Sequence, residues 1–305
     1  MKPARQVAHH LAAYDKICVW GAGDLGRAAL ADWFRDVNIA YVVDSTDAKQ
    51  GTEIHGHIVS SPESLTDTSP DCIVICSTAY LAILEQIDGL GLGCPRFYIY
   101  QLLLPTQDSM SELDMLSIDL VANRFTWRSC LPMKRPQVLV NITYRLARHF
   151  RARKSAWPIY SAFAFLHYLA CWSTSIELPL ETEIGPGLIF VHPGTIVFSA
   201  RARLGAFVSI YHCCTVGTTT SGLDPEIGDF CTIYTGSHVL GGCKLGNHTM
   251  VGAMSLALDV KTAGYCTLMG IPAQEGRRYA SHLTPIPQEH GCLTSAPVGH
   301  IERVS

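Results

Sequence analysis

Charge is scarce in this chain. Asp, Glu, Lys and Arg make up 16% of 305 residues and nearly cancel, leaving a formal charge of -3. There is no basic excess of the kind that holds nucleic acid, so no nucleic-acid partner is expected. CxxC pairs are lacking as well: twelve cysteines are present without the spacing of a zinc or redox motif. No apolar run is long enough to span a bilayer, and Met1 to Asp15 holds none of the length a signal peptide needs. A cytoplasmic location with reduced thiols is therefore expected.

What the chain has in quantity is small and aliphatic side chains in a fixed order. Aliphatic or small residues recur every six positions at Leu204, Ile210 and Val216, and after a loop at Ile227, Ile233, Val239, Leu245, Val251, Ala257, Ala263 and Met269. Glycine follows at 205, 217, 228, 246, 252, 264 and 270, and the fifth place is small, as at Cys214, Cys231, Ser237, Cys243, Thr249, Ser255 and Thr267. Neither a helix nor a hairpin sheet has this period. It fits a parallel β-helix whose coils have three flat faces, one hexad to a face, with the first residue of each hexad pointing inward. Glycine is expected to relieve the corner, where positive φ is easily reached. The cysteines at fifth places read as small packing residues.

The first hundred residues have a different character. An apolar strand, Lys16 to Trp20, leads into Gly21-Ala22-Gly23-Asp24-Leu25-Gly26 and a helical pattern, and a second strand from Ala40 to Val43 ends at Asp44. This is the dinucleotide fingerprint in its context: glycines admit a pyrophosphate to a helix start, and an acid after the second strand can accept from a ribose hydroxyl. Further strands are expected at Cys72 to Cys76 and Arg96 to Tyr100. A dehydrogenase's Tyr and Lys pair is not visible. A nucleotide or nucleotide-sugar site at Gly21, Gly23, Gly26 and Asp44 stands beside a structural or docking role without ligand.

Helical patterns fill the stretch from 105 to 175: Ser111 to Phe125, Pro136 to Arg153, and Trp157 to Trp172. The second is basic through Arg145, Arg148, Arg151, Arg153 and Lys154, and the third is strongly apolar. Contact with a membrane surface is one reading; packing within an oligomer is the favoured one. The expected organisation is a Rossmann-like α/β domain over 1–104, a helical segment over 105–175, a β-helix over 176–273 and a tail over 274–305.

The entry to the β-helix carries the chemistry. Glu177 and Ile184-Gly185 lead to His192-Pro193-Gly194, and Gly270-Ile271-Pro272-Ala273 closes the last coil. Phe190 to Phe198 holds two residues more than the hexad register needs, so the turn carrying His192 should bulge from the wall. In that order these phrases resemble the hexapeptide-repeat acyltransferases, and among them the serine O-acetyltransferase family and its polysaccharide-modifying relatives. The match runs from about Pro136 to Arg277.

The resemblance implies a left-handed prism, a homotrimer, and acetyl-CoA as co-substrate in the cleft between prisms. It implies His192 as general base and Glu177 as the carboxylate that orients it. An imidazole titrates near neutrality, so it can take a proton from an alcohol attacking a thioester, and a carboxylate on its far nitrogen fixes the tautomer. By position, Gly217, Thr235, Gly236, Ala253, Gly270 and Lys261 would line the acetyl-CoA cleft. The loop with Leu223 and Asp224 would face the acceptor, where true serine acetyltransferases carry Arg-His-Pro. Without that cation the acceptor is a hydroxyl of a small amino acid or of a sugar. No metal is expected, since His192, His212, His238 and His248 lack a close pair. Two alternatives remain: an N-acetyltransferase acting on a nucleotide-linked amino sugar, and a trimeric scaffold without catalysis.

Overall fold

The computed structural model describes residues 3–104, 110–123, 135–151, 153, 156–280 and 282–284. Phe125, Lys154 and the stretch 285–305 of the expected tail lie outside the described residues. The chain divides into two compact units at residue 107 and returns to the first at Tyr279.

In the first unit a parallel sheet runs His57–Ser60, Ile39–Val43, Ile17–Trp20, Cys72–Ile75, Arg96–Tyr98, with Glu53–Ile54 antiparallel at one edge. That is the doubly wound order, in which the first strand is central. Ile17–Trp20 and Cys72–Ile75 are buried at every residue, which is why both read as unbroken apolar runs. Gly21 turns the chain after the central strand at φ +126, where a Cβ would meet the Cys76 carbonyl at 2.6 Å. Near the far edge, Thr284 N–H donates to Arg96 O and Arg96 N–H donates to Thr284 Oγ1, both at 2.8 Å.

The second unit is a triangular coil. Its first face stacks Ile176–Glu177, Ile196–Phe198, Cys214–Gly217, His238–Leu240 and Leu256–Leu258; its second stacks Glu183–Ile184, Arg203–Leu204, Glu226–Ile227, Lys244–Leu245 and Lys261–Thr262. The third stacks Ile189–Phe190, Ser209–Ile210, Thr232–Ile233, Met250–Val251 and Cys266–Met269. All these pairings are parallel, and they fit a left-handed β-helix of the hexapeptide-repeat type. Ile196, Ile210, Val216, Ile233, Val239, Val251 and Ala257 point into the prism with no exposure. Cys214, Cys231, Cys243 and Cys266 are buried as well, and burial pushes the Cys231 thiol up to about 12.

Two expectations from the repeat are corrected here. Leu245 and Val251 register with Thr262 and Leu268, so the last coil is one residue short of the others. Thr262 and Leu268 take the interior, while Ala263 is exposed and Met269 is 59% exposed. The step is lost at Asp259, whose φ is +54 and whose carboxylate accepts the Gly242 N–H at 2.7 Å. The hexad glycines also have another reason to exist. Gly228 has no positive φ; a Cβ there would meet Asn247 Oδ1 at 2.5 Å and Asn247 N at 2.8 Å. Gly264 and Gly270 do carry the expected positive φ, at +99 and +98. At Gly205, Gly228 and Gly246 close approach of successive coils demands the glycine, and the positive φ falls two places on, at Phe207, Phe230 and His248, and on the shortened coil at Tyr265 as well. Their rings stack from coil to coil at centroid distances of 5.6, 5.0 and 4.3 Å, which offsets some of the cost of that conformation.

Helices Glu112–Ala122, Gln137–Arg151 and Trp157–Thr174 belong to this unit. The first is started by a capping box in which Ser111 accepts from Asp114 N–H and Asp114 accepts in return. Arg145, read from the sequence as part of a basic face, is 1% exposed and ties the helices to the first coil. It donates to Asp119 at 2.9 Å, Glu112 at 3.2 Å, Ile184 O at 2.9 Å and Gly185 O at 2.6 Å. Asp119 in turn accepts from Gly187 N–H at 2.6 Å and Leu188 N–H at 3.1 Å. The third helix leaves Trp157 and Trp172 exposed. No helix among the described residues is long and apolar enough to cross a membrane. Strand structure continues past residue 273: Gln274–Arg278 pairs antiparallel with Cys266–Met269 at the end of the third face.

Candidate active site

The corner that carries the chain from the third face to the first is where the coil departs from its period. Between Phe190 and Ile196 there are five residues; between their partners on the next coil, Ile210 and Cys214, there are three. The two extra residues make the turn Val191 to Thr195 bulge, and His192 sits on it, exposed. The turn is anchored at both ends. Val191 N–H donates to Ile210 O at 3.0 Å, and Gly194 N–H donates at 3.1 Å to Thr174 O, at the end of the apolar helix. Gly194 has φ +145, and a Cβ there would approach His212 Cβ to 3.0 Å, so the turn lies close over the next coil.

His192 therefore has two ring neighbours, Tyr211 at 6.1 Å and His212 at 5.7 Å, both edge-on. Above them the same corner continues. Gly236 N–H donates to His212 O at 3.1 Å, Met254 N–H to Thr235 O at 2.9 Å, and Gly270 N–H to Ser255 Oγ at 3.0 Å. Thr235, Gly236, Ala253 and Gly270 thus form one column with His192. The column is made of small side chains, and the Gly236, Met254 and Gly270 N–H groups along it already donate within the chain.

Other residues read from the sequence fall elsewhere. Glu177 is exposed on the first face, paired with Val197, and makes no hydrogen bond or ion pair with His192. Gly217 ends a first-face strand and accepts the Gly241 N–H at 3.0 Å. Lys261 stands on the second face in register with Lys244, away from the corner column. In the loop, Leu223 is 57% exposed, whereas Asp224 is turned back to Ser199 Oγ and to Arg201 at 2.9 Å. Asp224 is consumed in holding the loop down and offers an acceptor no free carboxylate. Sequence reasoning missed His212 and Tyr211 as neighbours of His192. Adding the length of the bulged coil, twenty residues from Ile176 to Ile196, to His192 would have found His212.

In the first unit, Gly21, Gly23, Gly26 and Asp44 lie together at the end of the central strands. Asp44 is 6% exposed. Its carboxylate accepts from Ala22 N–H at 2.7 Å, Thr46 N–H at 2.8 Å and Lys49 Nζ at 3.1 Å. Burial pushes its carboxyl upward, but these hydrogen bonds outweigh burial and leave it below the usual range. Both oxygens are engaged within the chain, so the acid's evident work is to fix the glycine turn.

A curated serine acetyltransferase of Staphylococcus epidermidis is 33% identical over 126 residues, 39% of this chain and 59% of that protein. Over that matched part the chain is similar to serine acetyltransferases. A second, from Staphylococcus xylosus, is 34% identical over 112 residues, 34% of this chain and 51% of its own length. The chain thus spans between half and three fifths of the curated relatives it matches. Among solved structures, soybean serine acetyltransferase apoenzyme is 26% identical at a TM-score of 0.46, covering 54% of this chain and 69% of that one. A serine acetyltransferase in complex with CoA is 22% identical at 0.45, covering 54% and 70%. Residues 13–96 match the family of C2185-like N-terminal domains.

Proposed function

We propose that the chain is an acetyl-CoA-dependent O-acetyltransferase with its site at the His192 corner. The observation that carries the reading is the two-residue bulge, which lifts one imidazole out of an otherwise regular wall at the foot of a column of small residues. Acetyl-CoA lies along Thr235, Gly236, Ala253 and Gly270, with its thioester beside His192. The imidazole takes the proton as the acceptor hydroxyl attacks, and backbone N–H groups of the corner receive the charge that develops on the thioester oxygen; as the intermediate collapses the carbon–sulfur bond breaks and the imidazolium returns the proton to the departing CoA thiolate. Glu177 is assigned the orienting role, since its strand is hydrogen-bonded to Ile196–Phe198, the strand into which the His192 turn leads. The acceptor is a hydroxyl of a small amino acid or a sugar. The assembly is a homotrimer in the cytoplasm, the cleft between two prisms completing the site.

The test is thiol release from acetyl-CoA with serine, homoserine and a panel of sugars. His192→Ala is expected to lower turnover by ~10²- to 10⁴-fold at unchanged melting temperature. Full turnover by a folded His192→Ala protein would remove the mechanism. Absence of acceptor-dependent thiol release across the panel would favour the scaffold reading.

A further inference from the structure

His212 contributes two observations that the reaction above does not use. Its Nδ1 is buried and has no hydrogen-bond partner, on the coil beneath the turn where a Cβ at Gly194 would approach His212 Cβ to 3.0 Å. A buried orphan of this kind costs free energy and calls for an explanation. An unpaired lone pair is the lesser penalty and an unpaired N–H the greater, which favours the tautomer with its N–H on Nε2. The ring as a whole is partly exposed, and Nε2 is not among the buried orphans. His212 thus has one nitrogen buried without a partner and the other outside that set, in a ring whose centroid lies 5.7 Å from that of His192.

Resting on the acetyltransferase reading, we propose that His212 is a binding residue of the acceptor subsite, its Nε2–H donating to an oxygen of the acceptor held beside His192. Two imidazoles with centroids 5.7 Å apart are close enough for one small oxygen-bearing group at their exposed edge to reach both, given heavy-atom distances of about 2.6–3.2 Å to each. An N–H donor at this position suits a hydroxyl oxygen. With Asp224 engaged by Ser199 and Arg201, the subsite is fitted to a polyhydroxyl acceptor more than to a carboxylate that would want a cation.

The experiment compares His212→Gln, whose amide nitrogen can stand near Nε2, with His212→Asn, whose amide stands near Nδ1. In acceptor-dependent thiol release, Asn is expected to raise the acceptor KM roughly five- to tenfold and leave the acetyl-CoA KM unchanged, while Gln restores the acceptor KM. An equal effect of both variants, or an effect on acetyl-CoA KM alone, overturns the assignment. Nitrogen-15 NMR of the unsubstituted protein, assigned by the peak lost in His212→Gln, adds a readout that needs no turnover: a proton on Nδ1 would also overturn it. A wild-type protein inactive on every acceptor defeats the acetyltransferase reading instead, so the two failures are told apart.

Discussion

Replacing Asp119 by Ala is expected to be among the most destabilising single changes in the second unit. Asp119 and Arg145 are each 1% exposed, and the carboxylate serves three donors: Arg145 Nε, Gly187 N–H and Leu188 N–H. Its loss leaves a guanidinium buried with Glu112 as its remaining charged partner, at 3.2 Å. Removing one member of a buried pair costs about 3–5 kcal/mol, and each orphaned backbone N–H adds about 1–3 kcal/mol before relaxation. Taking about 4 kcal/mol as the net, and about 2–4 °C per kcal/mol for a unit of this size, the melting temperature should fall by about 8–16 °C at fixed protein concentration. Asp119→Leu combined with Arg145→Met, which removes both charges, should lose less than Asp119→Ala alone. Glu183→Ala, which breaks a pair exposed by 66% and 63%, should cost less than about 1 kcal/mol. If Asp119→Ala and Glu183→Ala shifted the melting temperature equally, the clamp would not be what fastens the helices to the first coil.

The register of the last coil can be checked in the same way: Leu268→Ala should cost about 2–5 kcal/mol, and Met269→Ala less than about 0.5 kcal/mol, by thermal or urea unfolding. His167 donates from Nε2 to Leu178 O at 2.7 Å, and burial holds its pKa below the usual value. The unfolded chain therefore binds the proton first as pH falls through about 6.5, so stability should decline below that pH, and His167→Gln should flatten the decline. Asp44 has the opposite placement for an acid, a depressed pKa; its contribution is present above about pH 4 and lost at lower pH. Asp44→Asn should reduce the acid sensitivity of the first unit's unfolding and disturb the Gly21 turn, read by near-ultraviolet circular dichroism of Trp20.

Much of this architecture is legible in the sequence because burial is periodic. Hexads from Leu204 to Ala257 assign the interior residue by residue, and the excess of two residues between Phe190 and Phe198 gives away the bulge. What fails is what period alone cannot carry. At Asp259 a residue is dropped, and since inside and outside alternate along a strand, extrapolating the step puts Ala263 and Met269 where Thr262 and Leu268 belong. Gly264 and Gly270 take the positive φ expected at a corner, yet at Gly228 and Gly246 the strained φ is borne by Phe230 and His248, whose stacked rings are invisible in one dimension. Arg145 reads as surface because its partners Glu112 and Asp119 lie 33 and 26 residues away. The apposition of His192 and His212 depends on the length of one irregular coil. Lys261 and Asp224, placed by analogy of position, are sited on another face and in an internal ion pair.

The strand Gln274–Arg278 runs back against the third face, charged and exposed along its length, and the helices close over the opposite end through Arg145. A solenoid left blunt at its ends would offer unpaired backbone to the next molecule and grow into fibres. Here the two terminations are built from different materials and neither depends on how many rungs lie between them. Deleting or inserting one eighteen-residue rung in the regular stretch between Val239 and Ala257 should therefore give a shorter or longer soluble prism, not an aggregate.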